Sequence, residues 1–319
     1  MQKKNKHVLN LLTDKLIFVS SVGRGGKSFL APLISTFEKT EMFFYNSVAE
    51  NVYFLNYLEL LNNDSAYYLF KHILNEKIYN LNIGRELSKR KYDYTSINNY
   101  RDPKIYFDRE KSIKEGDIKI KDIKNEKNYY PIQFHNILMN PKFIFKTFPK
   151  SKIIYIDRNP VDMIFEWKQK NYTGQFHLNP RNATYSYKYK KVGFPFWINR
   201  HKDEFIKLSN VYEKIIFSFE QLYVAQKKNY LKFKKKYKKQ LLLVKFEKIS
   251  EETDSQIKDI AKFLNLKKTK FTSLEIKKQN GNRGDTSLRR KVRRNKIIKI
   301  VSKKYTKKLI DLEKLYNIN

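Results

Sequence analysis

Residues 16 to 30 read LIFVSSVGRGGKSFL. An apolar run climbs into a turn holding Gly23, Gly25 and Gly26, and the turn ends in Lys27 and Ser28 where a helical pattern starts. Backbone N–H groups of such a turn, backed by a helix N-terminus, bind anionic oxygens. Arg24 and Lys27 add two cations and Ser28 a hydroxyl. The triphosphate-binding form of this loop is GxxxxGK[ST]. With its end aligned on Gly26-Lys27-Ser28, its first glycine falls on Ser21, so the pattern fails at a defining position. A glycine turn that binds nothing is the plain structural alternative.

A second constellation lies at 151–167, SKIIYIDRNPVDMIFEW. Read alone, IIYID could be the strand ending in a metal-binding Asp157 that accompanies a triphosphate loop. Here Arg158-Asn159-Pro160 follows at once. An arginine leaving a strand end, with Pro at the first turn of a helix, points a guanidinium and a helix N-terminus at an anion. Asp162 can cap that helix or interact with its dipole. Two separated anion sites suit a nucleotide with phosphates at two ribose positions.

The elements that must position these residues follow from periodicity. Residues 16–19, 42–45, 152–156 and 241–246 read as buried strands. Helical spacing covers 27–37, 51–61, 67–74, 133–147, 161–171, 196–208, 210–238, 252–264 and 288–316, with Pro32 inside the first and KFKKKYKKQ (232–240) an exposed end. Residues 82–130 are polar and weakly periodic, and read as an insertion or lid on one domain spanning 1–319. Residues 172–195 read as a loop. Strands alternating with helices predict an α/β fold with a central, mainly parallel sheet flanked by helices.

Composition narrows the partners. There are no cysteines, which excludes disulfides and thiolate metal sites, and the five histidines lack ligand spacing, so no metal is expected. The net charge is +35, from 67 Lys and Arg against 32 Asp and Glu. Such a chain attracts anions: nucleic acid, acidic membranes, anionic glycans or nucleotides. Lys, Asn, Ile, Tyr and Phe all run high together, so much of the charge reads as compositional bias on solvated faces. The basic N-terminus has its apolar part broken by Asp14 and Lys15, and no long apolar run is present. A soluble, cytoplasmic protein is expected, with peripheral membrane association open.

RGGKSFL, followed more than a hundred residues later by IIYIDRNPVD, resembles the sulfotransferases that use 3′-phosphoadenosine 5′-phosphosulfate (PAPS). VKFEKIS and IKDIAKFLNL resemble that family's later strand–Glu–helix segment, and only 82–130 falls outside the likeness. The resemblance implies a P-loop NTPase-like sulfotransferase architecture and transfer of a sulfuryl group to a hydroxyl of a carbohydrate, glycolipid or related acceptor, without a metal. It places Arg24 where the family has its catalytic Lys or Arg, and Arg158 where it has the arginine for the 3′-phosphate. The implied cofactor-binding set is Arg24, Gly25, Gly26, Lys27, Ser28, Phe29, Arg158, Arg283 and Gly284. Arg283 and Gly284 belong to QNGNRGD, with Arg289 and Arg290 as competitors. Two departures stand out. Lys27 replaces the usual Ser or Thr, adding charge to the sulfuryl or turning outward, and Glu166 stands where a phosphate-binding serine is usual. For the general base, Glu50 comes first, with a helix-terminal charge as its bland alternative; His135 and then His177 follow. The aromatic stretch at 185–197 is a candidate sugar-stacking surface or core material. A small-molecule kinase and a non-catalytic nucleic-acid-binding protein, using 289–296, are the rival readings; no nucleic acid is expected under the first.

Overall fold

The computed structural model describes residues 9–172, 176 and 184–318. The first strand, β1, is Leu16–Ser21, and all six of its residues are buried. Phe18 packs into one core while Ile17 and Val19 pack into another. Both faces of the strand are covered, which is why the run is apolar throughout instead of alternating.

Helix α1 (Lys27–Ile34) follows the glycine turn, and β2 is short (Phe44–Tyr45). Helices α2 (Ser47–Tyr57) and α3 (Asn63–Asn82) begin four residues ahead of their apolar patterns. The cause is capping: Asn46 accepts from Ala49 N–H and Asn62 from Ser65 N–H.

The polar segment carries α4 (Lys104–Lys111) and α5 (Gly116–Glu126). It is fastened to the body by buried Glu41. Arg109 bonds both Glu41 oxygens at 2.8 Å, and Tyr106 Oη and Asn128 Nδ2 donate at 2.6 and 2.9 Å. Burial pushes the Glu41 carboxyl up, but these donors and the Arg109 charge outweigh it and hold the group below its ordinary value.

Tyr130–His135 is a strand, β3, correcting the expected helix over 133–147; only α6 (Pro141–Thr147) within that range is α-helical. Tyr130 N–H bonds to Lys15 on the β1 side, so the Pro131 nitrogen faces the other side, ahead of the first β2 pair at Phe44↔Ile132. A proline fits there because no ladder bond is lost. Strand β4 is Lys152–Asp157, and α7 (Pro160–Gln169) follows it.

The described part of the expected loop at 172–195 holds a hairpin, β5 (Ser186–Tyr189) and β6 (Val192–Pro195). Next come α8 (Lys202–Lys207), α9 (Val211–Phe233), β7 (Leu241–Lys245), α10 (Phe246–Glu251), α11 (Thr253–Leu264) and α12 (Lys270–Lys278). The final expected helix is two, α13 (Ser287–Ile300) and α14 (Lys303–Asn317), because Val301 and Ser302 are extended.

Five strands form one parallel sheet in the order β2-β3-β1-β4-β7. The chain leaves β1 for one side of the sheet and returns to the other at β4. Ligands of open α/β sheets bind outside the carboxyl ends of the strands at such a reversal. The turn after β1, His135 at the end of β3, Arg158 after β4 and Phe246 after β7 all emerge at that edge.

Candidate active site

The turn between β1 and α1 folds back through Gly25 N–H to Val22 O at 3.0 Å. A Cβ on Gly25 would lie 1.7 Å from Ser21 Oγ, and one on Gly26, whose φ is +109°, would lie 2.3 Å from the Phe246 ring. Only glycine fits either position. No side chain caps α1, so its first N–H groups remain available at the cleft.

Lys27 does not turn outward. Its ammonium is buried beneath the turn and donates to Val22 O at 3.0 Å and Ser21 O at 3.4 Å. Burial pushes its pKa down to about 7, against the nearby Glu50 charge that favours the proton. The lysine therefore holds the turn's carbonyls inward.

Arg158 leaves β4 and lies under the turn. Its Nη1 donates to Arg24 O at 2.8 Å, and its guanidinium stacks 4.6 Å over the Phe246 ring. Its Nε is buried with no hydrogen-bond partner among the described residues. Burial lowers the Arg158 pKa, partly offset by Glu166 and other carboxylates. Asn159 caps α7 by accepting from Val161 N–H at 3.0 Å. Asp162 does not cap; it pairs with Arg293 at 2.6 Å and Arg290 at 3.0 Å, fastening α13 to α7.

Asp157 is not presented for a metal. It is buried, accepts from Tyr223 Oη at 2.8 Å, and pairs with Lys245 at 2.9 Å and Lys227 at 3.1 Å. No cluster of three or more His, Asp or Glu side chains suited to a metal occurs among the described residues.

Arg24, Gly26, Lys27, Ser28, Phe29, Arg158 and Arg283 line one cleft of about 730 Å³, together with His135. Phe29 and Phe246 meet edge to face at 6.1 Å, with the Arg283 guanidinium 5.3 Å over Phe29. Arg283 is thus the cleft arginine of its loop, while Arg290 is engaged by Asp162 and Arg289 is exposed. Gly284 is exposed and does not line the cleft.

Glu50 and His135 are partners, not alternatives. Glu50 is buried, and its oxygens receive the His135 backbone N–H, His135 Nδ1 at 2.9 Å and Tyr45 Oη at 3.0 Å. A carboxylate accepts only, so Nδ1 is the nitrogen that carries a proton toward Glu50, and in the neutral ring Nε2 is the one with the lone pair. His135 lines the cleft and Glu50 does not. Burial and the Glu50 charge raise the Tyr45 pKa, keeping that phenol a donor. His177 lies outside the described residues.

Three cleft residues carry no local sequence motif, Tyr94, Gln133 and Tyr172, and Phe246 sits within VKFEKIS without being singled out there. Tyr94 Oη donates to Gln133 Oε1 at 2.9 Å, and Tyr172 stacks on Trp167 at 5.0 Å. Gln133 shares a strand with His135, a signal hidden by reading that stretch as helix. The aromatic stretch at 185–197 is divided: Phe194 and Phe196 are buried and Trp197 Nε1 donates to Ser218 Oγ, while Tyr185 and Tyr187 are half-buried and Tyr189 is exposed.

No helix among the described residues is long and apolar enough to cross a membrane. No curated protein matches the sequence. Among solved structures, the chain is similar to the sulfotransferase domain of the Synechococcus PCC 7002 olefin synthase, at 10% identity and TM-score 0.48, covering 100% of this chain and 99% of that one. It is also similar to the sulfotransferase domain from the curacin biosynthetic pathway, at 13% identity and TM-score 0.41, covering 80% and 75%. Mouse sulfotransferase SULT7A1, solved with PAP, is similar at 16% identity and TM-score 0.38, covering 94% and 83%. The sulfotransferase domain family model matches residues 14–309, from just before β1 into α14, and the chain belongs to that family of sulfuryl-transferring enzymes.

Proposed function

We propose that the enzyme takes its sulfuryl group from PAPS and delivers it to a hydroxyl of a carbohydrate, glycolipid or related acceptor. The observation that carries this reading is the convergence of Arg24, Arg158 and His135 on one cleft. The site fits such a nucleotide on structural grounds: a buried Arg158 Nε without a partner among the described residues, a glycine cradle too tight for any Cβ, and an arginine-flanked aromatic pair.

PAPS, when bound, supplies a sulfuryl group on a phosphate leaving group whose departing oxygen gains negative charge. Arg24 and the N–H groups at the start of α1 stabilise charge at that end, as fixed donors do in phosphoryl transfer. Arg158 and Arg283 hold the other end, and Phe29 and Phe246 wall the base. His135 receives the acceptor hydroxyl's proton at Nε2. Glu50 holds the ring by Nδ1, so it is a positioning residue. Tyr94, Gln133 and Tyr172 bring ring faces and hydrogen-bonding groups to the same cleft, which favours a polyhydroxylated acceptor. Against a kinase reading, Asp157 is spent on two lysines and a tyrosine.

The test is transfer from sulfur-labelled PAPS to a panel of sugars, glycolipids in micelles and simple phenols. Label should appear on a sugar hydroxyl, and Arg24→Ala should reduce the rate by roughly a hundredfold or more. Label on phenols alone would overturn the acceptor class. An undiminished rate in Arg24→Ala would remove Arg24 from the chemistry.

A further inference from the structure

Glu166 lies on α7, eight residues beyond Arg158 in the chain, and lines the cleft. Three guanidinium groups surround it. Arg158 Nη2 is 3.7 Å from Oε1, Arg293 Nη2 is 3.8 Å from Oε1, and Arg24 Nη2 is 3.8 Å from Oε2. Each distance exceeds a normal hydrogen bond. The carboxylate is attracted to all three arginines and bonded tightly to none. Asp162, one turn earlier on the same helix, shows the contrast, with arginine contacts of 2.6 and 3.0 Å.

The arginines also hold capacity in reserve. Arg158 Nε is buried with no partner among the described residues. Guanidinium groups bind phosphate through paired N–H donors more strongly than they bind a loosely placed carboxylate. A phosphate entering here would meet Arg158 and Arg293 and repel the Glu166 charge, and Arg24, no longer drawn to Glu166, would stay with the other end of the nucleotide.

We propose that Glu166 is an internal counter-ion that occupies the place of the nucleotide's 3′-phosphate and sets its affinity, so that the phosphate must displace it. This rests on the reading above, in which Arg158 receives that phosphate. Glu166 neutralises the arginine cluster in the free protein, and the displaced carboxylate opposes tight retention of any nucleotide carrying a 3′-phosphate, donor and product alike.

The experiment is calorimetric titration of adenosine 3′,5′-bisphosphate and adenosine 5′-monophosphate into wild type, Glu166→Gln, Glu166→Ser and Arg158→Ala, with circular dichroism confirming the fold of each. Removing a like charge next to the phosphate should tighten bisphosphate binding about tenfold or more in both Glu166 variants. Monophosphate affinity should stay within about twofold, since that ligand lacks the group Glu166 opposes. A merely structural role would move both ligands together. Unchanged or weaker bisphosphate binding in both Glu166 variants, with affinity still lost in Arg158→Ala, overturns the counter-ion role alone. Undiminished bisphosphate binding in Arg158→Ala overturns the two-phosphate reading and this inference with it. Wild type preferring the monophosphate, with no reversal in the Glu166 variants, also overturns it, because Glu166 would then serve a ribose hydroxyl.

Discussion

Arg158 Nη1 donates a 2.8 Å hydrogen bond to the backbone carbonyl of Arg24. The turn after β1 and the strand end of β4 are thereby one unit: the residue proposed for one end of the nucleotide fixes the backbone of the residue proposed for the other. Arg158→Lys keeps the charge but loses the fork that spans the Arg24 carbonyl and the cleft. It should weaken adenosine 3′,5′-bisphosphate binding about tenfold and speed amide hydrogen exchange at Gly23–Gly26. Unchanged exchange in that turn would argue against the coupling.

The His135–Glu50 pair separates catalysis from nucleotide binding. His135→Ala should lower kcat by roughly a hundredfold or more, within the range for a general base, and leave bisphosphate affinity nearly unchanged. Glu50→Gln keeps the size of the side chain but presents an amide that can donate to Nδ1, favouring the wrong tautomer. It should lower kcat by at least about tenfold with little change in the KM for PAPS. Equal losses in nucleotide affinity would place the pair outside the proton transfer.

Lys27 makes stability depend on pH in a predictable direction. Its folded pKa is pushed down by burial to about 7, below the ordinary lysine value of 10.5. Between those values the unfolded chain binds the proton and the folded chain does not, so stability rises with pH across that window. Below about 7 the cost of burying the charge is fully present; above 10.5 it is gone. Urea midpoints compared at neutral and alkaline pH should rise more in wild type than in Lys27→Met. Equal pH responses would contradict the buried ammonium.

Asp157 is the counter-charge for two lysines. Asp157→Ala leaves Lys227 and Lys245 facing each other without it, and should cost about 3–5 kcal/mol in urea unfolding. Asp157→Asn should cost less, because the amide still accepts from Tyr223. A loss of catalysis without any loss of stability would revive a catalytic or metal role for this carboxylate.

Both turns proposed to bind anions were legible because each is a continuous stretch whose chemistry and backbone demands sit side by side: glycines with cations at 23–28, and Arg-Asn-Pro at 158–160. Glu50 and His135 were legible as separate candidates but not as partners, since they are 85 residues apart and meet only where the helix after β2 lies beside the end of β3. Strand β3 was misread because YPIQFH is separated by Asn136 alone from ILMNPKFIF, whose apolar residues continue at helical spacing, and Pro131 argues against a central strand unless its nitrogen faces an unpaired stretch. The β5–β6 hairpin escaped notice because Lys190 and Lys191 both adopt positive φ, 47° and 65°, where Asn-Gly is the usual signal. The inward turn of Lys27 was not legible, because its partners are carbonyls of its own turn and no residue pattern announces them.

The most direct measurement is calorimetric titration of adenosine 3′,5′-bisphosphate beside ATP, in wild type and Arg158→Ala. Two anion sites at two strand ends predict that the bisphosphate binds wild type clearly more tightly than ATP does, and that Arg158→Ala removes the difference. ATP binding as tight as or tighter than the bisphosphate, or a preference that survives in Arg158→Ala, would contradict it.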